Sequence, residues 1–490
     1  MPQYLQSIHG ALWGAPALMM ILGVGMYLSI RTEFAQIRLF PHALREFYRK
    51  LRSRRVSDGE ISPFQALCTA LAATVGTGNL VGVAGAICLG GPGAVFWMWL
   101  CGIAGMITKF AEVTLAVRYR QGSGGHFFGG PMYIISEGMG SRWKWLAGCY
   151  SFFGILAAFG VGNAVQVNAV ISGINGIASR YGGPVSATKD LAMGLILAVA
   201  VGAMLLGGAK CIGQAAEKLV PFASAAYLLL CTAALLRNRS AIPDALLSIL
   251  QGAFCPRAAT CGFIGSAFQA LKIGCSRGVF TNEAGMGTAS IAHASAAVQH
   301  PVEQGLMGIV EVFLDTIVIC TMTALVILTA GVPIPYGTDA GGELTLAAFT
   351  GTFGDWTSVF ITAALCCFAF ATILGWGLYG CRCSQYLFGQ KAWGVFALLQ
   401  TAAVVLGSVT DTRTVWLLAE TANGLMAIPN LIALAALAPE LVRLTIEYKT
   451  KSDKSCVSGG NYANFHQCKS LRTLSYEKIP SSGGGSKKGR

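Results

Sequence analysis

The run Thr74-Val75-Gly76-Thr77-Gly78-Asn79 combines hydroxyl, amide and glycine residues where the chain is otherwise apolar. It lies within residues 61–108, which contain no Asp, Glu, Lys or Arg over 48 positions. A helix buried in lipid must satisfy its own backbone hydrogen bonds. An interruption at this depth is therefore typical of a cavity, where freed carbonyls and amides bind an ion or a polar solute. Close helix packing would explain the glycines but not the polar side chains beside them.

Further polar or aromatic groups lie within apolar stretches. Gln166 occupies a charge-free span, where its residue type fits a binding role and a hydrogen bond between helices equally well. Thr372 and Trp376 lie one helical turn apart, which favours a pocket wall. Asp315 opens another charge-free run, and an intramembrane carboxylate is a functional hypothesis by default. Glu112 is a weaker case of the same kind.

The composition is typical of an integral membrane protein. Hydrophobic residues make up 54% of the chain and charged residues 12%, and the mean hydropathy is +0.59. A span needs about 20 predominantly apolar residues. The sequence predicts eleven spans, at 11–30, 62–89, 94–108, 145–179, 191–209, 219–236, 245–271, 316–338, 356–381, 392–410 and 421–439. The first is predicted to be a retained span and not a signal peptide, because residues 1–10 contain no Lys or Arg.

The distribution of positive charge predicts the orientation. The loop after the first span is rich in basic residues, namely Arg31, Arg38, Arg45, Arg49, Lys50, Arg52, Arg54 and Arg55. Such loops stay in the cytoplasm, so the N-terminus is predicted outside and the C-terminus inside. Residues 446–490 are predicted to be a basic, disordered cytoplasmic tail. On this assignment, the net charge of +13 reflects the basic residues on the cytoplasmic side of the membrane. No aromatic stacking pattern indicates a nucleic-acid partner.

The spans after the first divide into two groups of five. We predict a transmembrane domain over residues 1–445, with a peripheral N-terminal helix and two repeats at about 62–236 and 241–437. The first span of each repeat is interrupted, at Thr74–Asn79 and at Thr260-Cys261-Gly262. Paired interruptions point to the binding site of a secondary transporter, and five spans per repeat make the repeats inverted. The predicted fold is an all-α integral membrane protein.

Two other classes of protein fit the sequence less well. A channel needs a continuous pore with repeated polar rings or a carbonyl filter, and two isolated interruptions favour alternating access. An enzyme is not expected, because no catalytic motif is present. None of the sixteen cysteines shows paired CxxC spacing, so no zinc site is expected. Residues 277–287 are predicted to be a polar, glycine-rich loop on the inner side, with a structural or gating role.

Five segments together resemble the alanine/glycine:cation symporter family. They are 69–79, 277–287, 315–321, 373–376 and 426–430. The resemblance implies sodium- or proton-coupled uptake of a small neutral amino acid, alanine or glycine, in a bacterial or archaeal inner membrane. It also implies the fold of the sodium-coupled leucine transporter, with its five-plus-five inverted repeat. A substrate such as glutamine stays open, and a monomer surrounded by membrane lipid is expected.

The resemblance also implies roles for individual residues. The substrate would contact the first interruption, the matching interruption and two pocket walls, a set comprising Thr74, Gly76, Thr77, Gly78, Asn79, Thr260, Cys261, Gly262, Gln166 and Trp376. Gln166 and Trp376 would leave room for one methyl group. Sodium would be bound by the carbonyls of Ala72, Val75 and Phe368 and by the hydroxyl of Thr372. Ala371 stands where the family usually has Ser, which removes one hydroxyl ligand.

Overall fold

The computed structural model describes residues 10, 12, 14–52, 61–123, 126–254, 267–338, 341–410 and 413–458. The chain divides into two compact units, Met1–Val442 and Arg443–Arg490. The first unit is built almost entirely from helices. The described part of the second unit, 443–458, is helical throughout. Residues 446–458 were predicted to be disordered and are instead helical. The remainder of the predicted tail lies outside the described residues.

Helices follow one another with short connections. In chain order they are α1 Ala15–Arg31, α2 Ala35–Arg38, α3 Phe40–Arg52, α4 Pro63–Thr74, α5 Val83–Gly90, α6 Ala94–Arg118, α7 Pro131–Tyr133, α8 Lys144–Phe159, α9 Val165–Arg180, α10 Ala187–Leu206, α11 Gly208–Arg237, α12 Ile242–Phe254, α13 Ala267–Asn282, α14 Thr288–His293, α15 Pro301–Val312, α16 Thr321–Thr329, α17 Gly341–Phe353, α18 Trp356–Phe388, α19 Ala392–Val409, α20 Arg413–Ala436 and α21 Ala438–Ser458.

Shorter elements join or continue these helices. Wider, π-helical turns occur at Gly78–Gly82, Ile134–Met139, Gly160–Ala164 and Phe313–Cys320, and 3-10 turns at Ser141–Trp143 and Arg239–Ala241. Strands β1 Gln121–Ser123 and β2 His126–Phe128 form an antiparallel hairpin in which Gln121 pairs with Phe128. Wide turns inside helices mark places where the regular hydrogen-bond ladder is disturbed. Three of them, at Gly78, Gly160 and Phe313, begin beside the site described below.

Seven helical segments of the described chain are long and apolar enough to cross a membrane, or nine when each of two bent pairs counts as one span. One bent pair is Pro63–Thr74 with Gly78–Gly90, whose axes differ by 49°. Large apolar side chains such as Phe222, Val199 and Leu229 are exposed on the outer helices, as expected for surfaces that face lipid. The predicted all-α membrane fold is confirmed, whereas the predicted count of eleven spans is not.

The window 245–271, predicted to be one interrupted span, belongs to two helices. Residues 245–254 lie in α12 and residues 267–271 lie in α13. The residues between them, including Thr260, Cys261 and Gly262, lie outside the described part of the chain. The predicted contribution of these three residues to a substrate site stays a prediction.

The start and the end of α4 follow from its sequence. The Ser62 hydroxyl accepts a hydrogen bond from the Gln65 amide at 3.1 Å, and the Gln65 side chain accepts one from the Ser62 amide at 3.0 Å. This reciprocal cap, followed by Pro63, fixes the first turn. The helix ends where Val75 adopts an extended conformation, with φ −76° and ψ 97°. Helix α4 is thus anchored at its start and interrupted at the predicted position.

Small residues allow the central helices to pack closely. The long helix α18 packs against α4, α8, α9 and α11, and α6 packs against α13 and α15. A Cβ atom at Gly375 of α18 would lie 3.0 Å from the Ala73 Cβ atom of α4. A Cβ atom at Gly305 of α15 would lie 2.1 Å from the Thr114 hydroxyl of α6. Such contacts are the usual source of helix association in membranes, where lipid supplies no hydrophobic drive.

The close packing of α15 on α6 predicts a specific cost for Gly305→Ala. The added methyl group must displace Thr114 or Phe110, which we expect to cost about 1–3 kcal/mol of stability. Gly394→Ala is the matched control, because no atom lies within 4 Å of the added Cβ atom and alanine favours a helix by about 1 kcal/mol. The measurement is the thermal unfolding midpoint in detergent. Equal midpoints for the two variants would contradict the packing described here.

Candidate functional site

The first interruption separates α4 from the helical turn Gly78–Gly82. The last carbonyls of α4 and the first amides of the resumed helix have no regular intrahelical partners. The backbone dipoles therefore present a negative end at Thr74 and a positive end at Gly78. Both ends lie inside the protein, since Thr74, Thr77 and Gly78 are all buried. This arrangement can bind a cation and an anionic group a few ångströms apart.

The Asn79 side chain stabilises the interrupted backbone. Its Oδ1 atom accepts a hydrogen bond from the Gly76 amide at 3.0 Å. Its Nδ2 atom donates to Asp315 Oδ1 at 2.7 Å and to the Cys320 sulfur at 3.3 Å. Asn79 is completely buried and does not line the cavity described below. Its geometry supports the interrupted backbone, whereas it was predicted to belong to the substrate-binding set.

A second interruption lies between α13 and α14. Glu283 has φ 52°, Gly285 φ 96° and Gly287 φ 78°, so the chain turns back through left-handed conformations that favour glycine. The predicted polar loop over 277–287 is shorter than expected, because residues 277–282 complete α13 and only the buried turn that follows is not helical. Its place on the inner side of the membrane stays a prediction. Its charged and glycine residues resembled a solvent-exposed loop, and burial of the turn depends on partners far away in the sequence.

The carboxylate of Glu112 in α6 is the main partner of this turn. Its Oε1 atom accepts hydrogen bonds from the amides of Gly285 at 2.8 Å and Gly287 at 3.0 Å. It also accepts one from Asn430 Nδ2 at 2.8 Å. Asn430 in turn donates to the Gly285 carbonyl at 2.9 Å. A buried carboxylate with several such donors is strongly stabilised in its place, so Glu112 fixes the conformation of the turn.

The two interruptions face each other across one small cavity. A Cβ atom at Gly78 would lie 3.1 Å from the Thr281 methyl group, which shows how closely the two helices approach. The cavity is lined by most of the predicted substrate residues and by one predicted sodium ligand. These are Thr74, Gly76, Thr77, Gly78, Gln166, Trp376 and Thr372. The structure thus brings residues from three distant parts of the chain to one place.

Sequence reasoning missed several residues of this cavity. The important ones are Glu283 from the second interruption and Asn423 from α20, together with Phe280, Val161 and Ala73. The Asn423 Oδ1 atom is buried and has no hydrogen-bond partner in the described residues. A buried carbonyl oxygen without a donor is costly, so it is suited to accept a hydrogen bond from a ligand. The signal that could have identified Glu283 from the sequence is that an acidic residue within the membrane usually has a functional role.

Trp376 forms one wall, and Glu283 determines how its ring is placed. The indole nitrogen donates to Glu283 Oε1 at 3.1 Å, while Glu283 Oε2 accepts from the Thr288 hydroxyl at 2.6 Å. A Cβ atom at Gly162 would lie 2.2 Å from the Trp376 Cβ atom, so only glycine admits the ring there. The Gln166 amide donates to the Val161 carbonyl at 3.2 Å and lies 3.4 Å from the Thr77 hydroxyl.

The predicted sodium ligands lie where α18 crosses the end of α4. The Thr372 hydroxyl donates to the Ala72 carbonyl at 2.9 Å. Val75, in its extended conformation, follows the end of α4, and Phe368 lies one turn before Thr372 in the same helix. All four residues are buried. The oxygen donors fit a hard monovalent cation, and the C-terminal end of α4 adds a favourable dipole.

The whole sequence is similar to those of known proteins. The sequence profile of the Sodium:alanine symporter family matches residues 1–459. The chain belongs to this family. It is 41% identical to the sodium/alanine symporter AgcS of Methanococcus maripaludis over 446 residues, which cover 90% of this chain and 96% of that protein. It is 36% identical to GlnT of Bacillus subtilis, a probable sodium/glutamine symporter, covering 89% of each chain. The family recognised from the sequence is confirmed.

The fold is also similar to that of a solved transporter. The crystal structure of MhsT in complex with L-phenylalanine matches with a TM-score of 0.53 at 14% identity, covering 80% of this chain and 99% of MhsT. At this identity the match concerns the fold alone. The predicted leucine-transporter type of fold is therefore confirmed. As a family member with several apolar helices, the chain is a multi-pass membrane protein.

The role of Glu112 predicts the effect of Glu112→Gln. The variant keeps one oxygen acceptor but loses the charge that strengthens three hydrogen bonds. We expect a loss of about 1–2 kcal/mol in stability, since hydrogen bonds to charged groups are worth about twice neutral ones. Thermal unfolding in detergent measures it, with the exposed Glu137→Gln as control. A Glu112 variant as stable as the control would refute the assignment.

Proposed function

We propose that the protein is a secondary active symporter that couples sodium entry to uptake of a small neutral amino acid, alanine or glycine. The observation that carries the proposal is the cavity between the two interruptions, which combines free backbone groups with the Glu283 carboxylate. Such a cavity offers complementary charges to both ends of a zwitterion. Membership of a sodium:alanine symporter family supports the substrate and the ion.

The two ends of the substrate are assigned by charge. The first amides of the resumed helix, at Thr77 and Gly78, attract the carboxylate because they form the positive end of a helix dipole. The Glu283 carboxylate and the free Asn423 Oδ1 atom accept hydrogen bonds from the ammonium group. A carboxylate has about four acceptor positions, and the structure shows two donors to Glu283. Positions for an ammonium group therefore remain.

The walls of the cavity support a short side chain. Trp376 is held against Gly162 and cannot retreat without displacing that contact. Phe280 and Val161 add further apolar surface. Side chains longer than a methyl group would collide with the Trp376 ring, which favours alanine and glycine over larger residues.

Ion coupling follows from the position of Thr372. Its hydroxyl and the carbonyls of Ala72, Val75 and Phe368 would bind sodium between α4 and α18, beside the substrate. Binding there would favour one arrangement of the two helices, and the substrate would then complete the site. Rocking of one helix group against the other exposes the site to the opposite side. In this proposal the N-terminus lies outside the inner membrane and the C-terminus in the cytoplasm.

The decisive experiment is uptake by purified protein in liposomes. We expect labelled alanine to accumulate with an inward sodium gradient and not without one, and unlabelled glycine to compete. Absence of gradient-driven uptake of any amino acid would refute a symporter. Uptake that follows a proton gradient without sodium would refute the coupling ion.

Glutamine is a second candidate substrate. The relative GlnT is named as a probable sodium/glutamine symporter, and two side-chain amides, Gln166 and Asn423, line the cavity. These groups are able to pair with the amide of a glutamine substrate. Competition decides between the candidates. Strong inhibition of alanine uptake by glutamine, with weak inhibition by glycine, would replace alanine and glycine in the proposal.

The assignment of the ammonium group predicts the effect of Glu283→Gln. The neutral amide keeps an acceptor for Trp376 but lacks the charge that attracts the substrate. We expect the KM for alanine to rise about tenfold or more, because a charged partner is worth at least about 1.4 kcal/mol here. Initial uptake rates at saturating sodium measure it, with Glu137→Gln as control. An unchanged KM would refute the role of Glu283.

The assignment of the ion predicts the effect of Thr372→Ala. Loss of the hydroxyl removes one of four proposed oxygen ligands, so we expect half-maximal uptake to require about tenfold more sodium. Thr372→Ser keeps the hydroxyl and is the matched control. The measurement is alanine uptake against sodium concentration. If the alanine variant retains the wild-type sodium dependence, the ion does not bind at Thr372.

A further inference from the structure

A second group of buried ionisable residues does not line the cavity and shares no residue with the proposed sodium ligands. The Lys109 ammonium lies 3.3 Å from Glu311 Oε1, and His293 Nε2 lies 2.9 Å from Glu311 Oε2. Gln304 Nε2 lies 2.7 Å from His293 Nδ1 and donates to the Pro63 carbonyl at 3.2 Å. These side chains are almost completely buried. They join α6, α14, α15 and the first residue of α4.

The hydrogen bonds around His293 indicate one arrangement of donors and acceptors. With the Gln304 amide nitrogen as donor, His293 Nδ1 accepts. The other ring nitrogen, Nε2, then donates its proton to Glu311. The Gln304 Oε1 atom is buried and has no partner in the described residues.

A second proton on His293 has an acceptor within reach. Rotation of the Gln304 amide by half a turn would place Oε1, now without a partner, against a proton on Nδ1. The same rotation would move Nε2 away from the Pro63 carbonyl. The His293–Gln304 pair thus has two hydrogen-bonded arrangements, one for neutral imidazole and one for imidazolium. Protonation changes a contact to the first residue of the interrupted helix α4.

Several charged groups surround this pair. Besides Glu311, the carboxylates of Glu112 and Glu283 act on the Lys109 ammonium. Three carboxylates from α6, α15 and the second interruption therefore face one lysine. The other ionisable groups nearby include Asp315, which interacts with Glu311 and Lys109, and Tyr379 of α18, which lies close to all three carboxylates. Arg120 donates to the carbonyls of Ala294 and Ala296.

We propose that His293, together with Glu311, Lys109 and Gln304, forms a proton-binding site that is separate from the sodium position and modulates transport. One proton from solvent adds to Nδ1 of the neutral imidazole, with no other bond made or broken except hydrogen bonds. His293 ends α14, and the chain reaches the exposed residue Gln299 soon afterwards. The effect on transport rests on the proposed function, because Glu283 lines the substrate cavity and Pro63 begins the interrupted helix.

The test uses the full-length protein at a series of pH values between about pH 5 and pH 9, around the range in which imidazole titrates. Two quantities are measured with equal pH on both sides. The first is alanine uptake into liposomes under a fixed sodium gradient. The second is the thermal unfolding midpoint in detergent without sodium or amino acid. The variants are His293→Gln and His300→Asn, which keeps a side-chain acceptor at the start of α15.

We expect both quantities to follow the same titration curve in the wild type and in His300→Asn, and His293→Gln to lose the part of that curve that belongs to His293. A His293→Gln protein that is less stable at every pH but keeps the wild-type titration curve would overturn the proposal. That result would show that His293 only stabilises the fold. If no alanine is taken up by any form but the thermal titration is lost in His293→Gln, the proton site stands and the proposed function falls.

A second variant covers the case in which His293→Gln does not fold. Gln304→Glu puts a carboxylate beside Nδ1 and should favour the imidazolium. We expect the midpoint of the titration curve to rise by about one pH unit, which is about tenfold in proton affinity. A midpoint that stays in place would overturn the assignment of the proton to His293.

Discussion

The backbone of an interrupted membrane helix must find polar partners inside the protein, and this constraint governs the centre of the molecule. Asn79 satisfies the Gly76 amide at the first interruption. Glu112 satisfies two amides at the second. Both supporting side chains are themselves tied to other helices, through Asp315 and Asn430. The free groups that remain face the cavity, so structural support and binding capacity arise from the same two breaks.

The charges around these breaks suit a protein that binds cations. Glu112, Glu283, Glu311 and Asp315 are buried near one buried lysine, Lys109. Uncompensated charge inside a membrane protein is costly. Each of these acidic side chains has polar partners of a different kind. Amides surround Glu112, a lysine and a histidine face Glu311, and an amide and a hydroxyl bind Asp315. The Glu283 carboxylate, held by two neutral donors, is the one that faces the cavity.

The sequence predicted the first interruption and missed the second for a physical reason. Gly76 and Gly78 stand out because a long charge-free stretch surrounds them. The turn at Glu283–Gly287 contains a charge and several glycines, which is also the composition of an exposed loop. Distant side chains, chiefly Glu112 with Asn430 and Tyr150, supply the hydrogen-bond partners that its burial requires. Gln166, Thr372 and Trp376 stood out as polar or aromatic groups within apolar spans, and the family resemblance gave them roles. Asn423 required the three-dimensional packing of α20 against the cavity.

The bond between Thr372 and Ala72 explains how an ion could control the relation between two helix groups. The hydroxyl of α18 now donates to a carbonyl at the end of α4, so the two oxygens satisfy one another. In the proposed mechanism a cation between them takes both oxygens as ligands, and the hydroxyl proton turns elsewhere. A directional hydrogen bond is then replaced by an electrostatic link that also includes Val75 and Phe368. Because α4 also ends at the break proposed to bind the substrate, ion binding and substrate binding would act on one helix end in this mechanism.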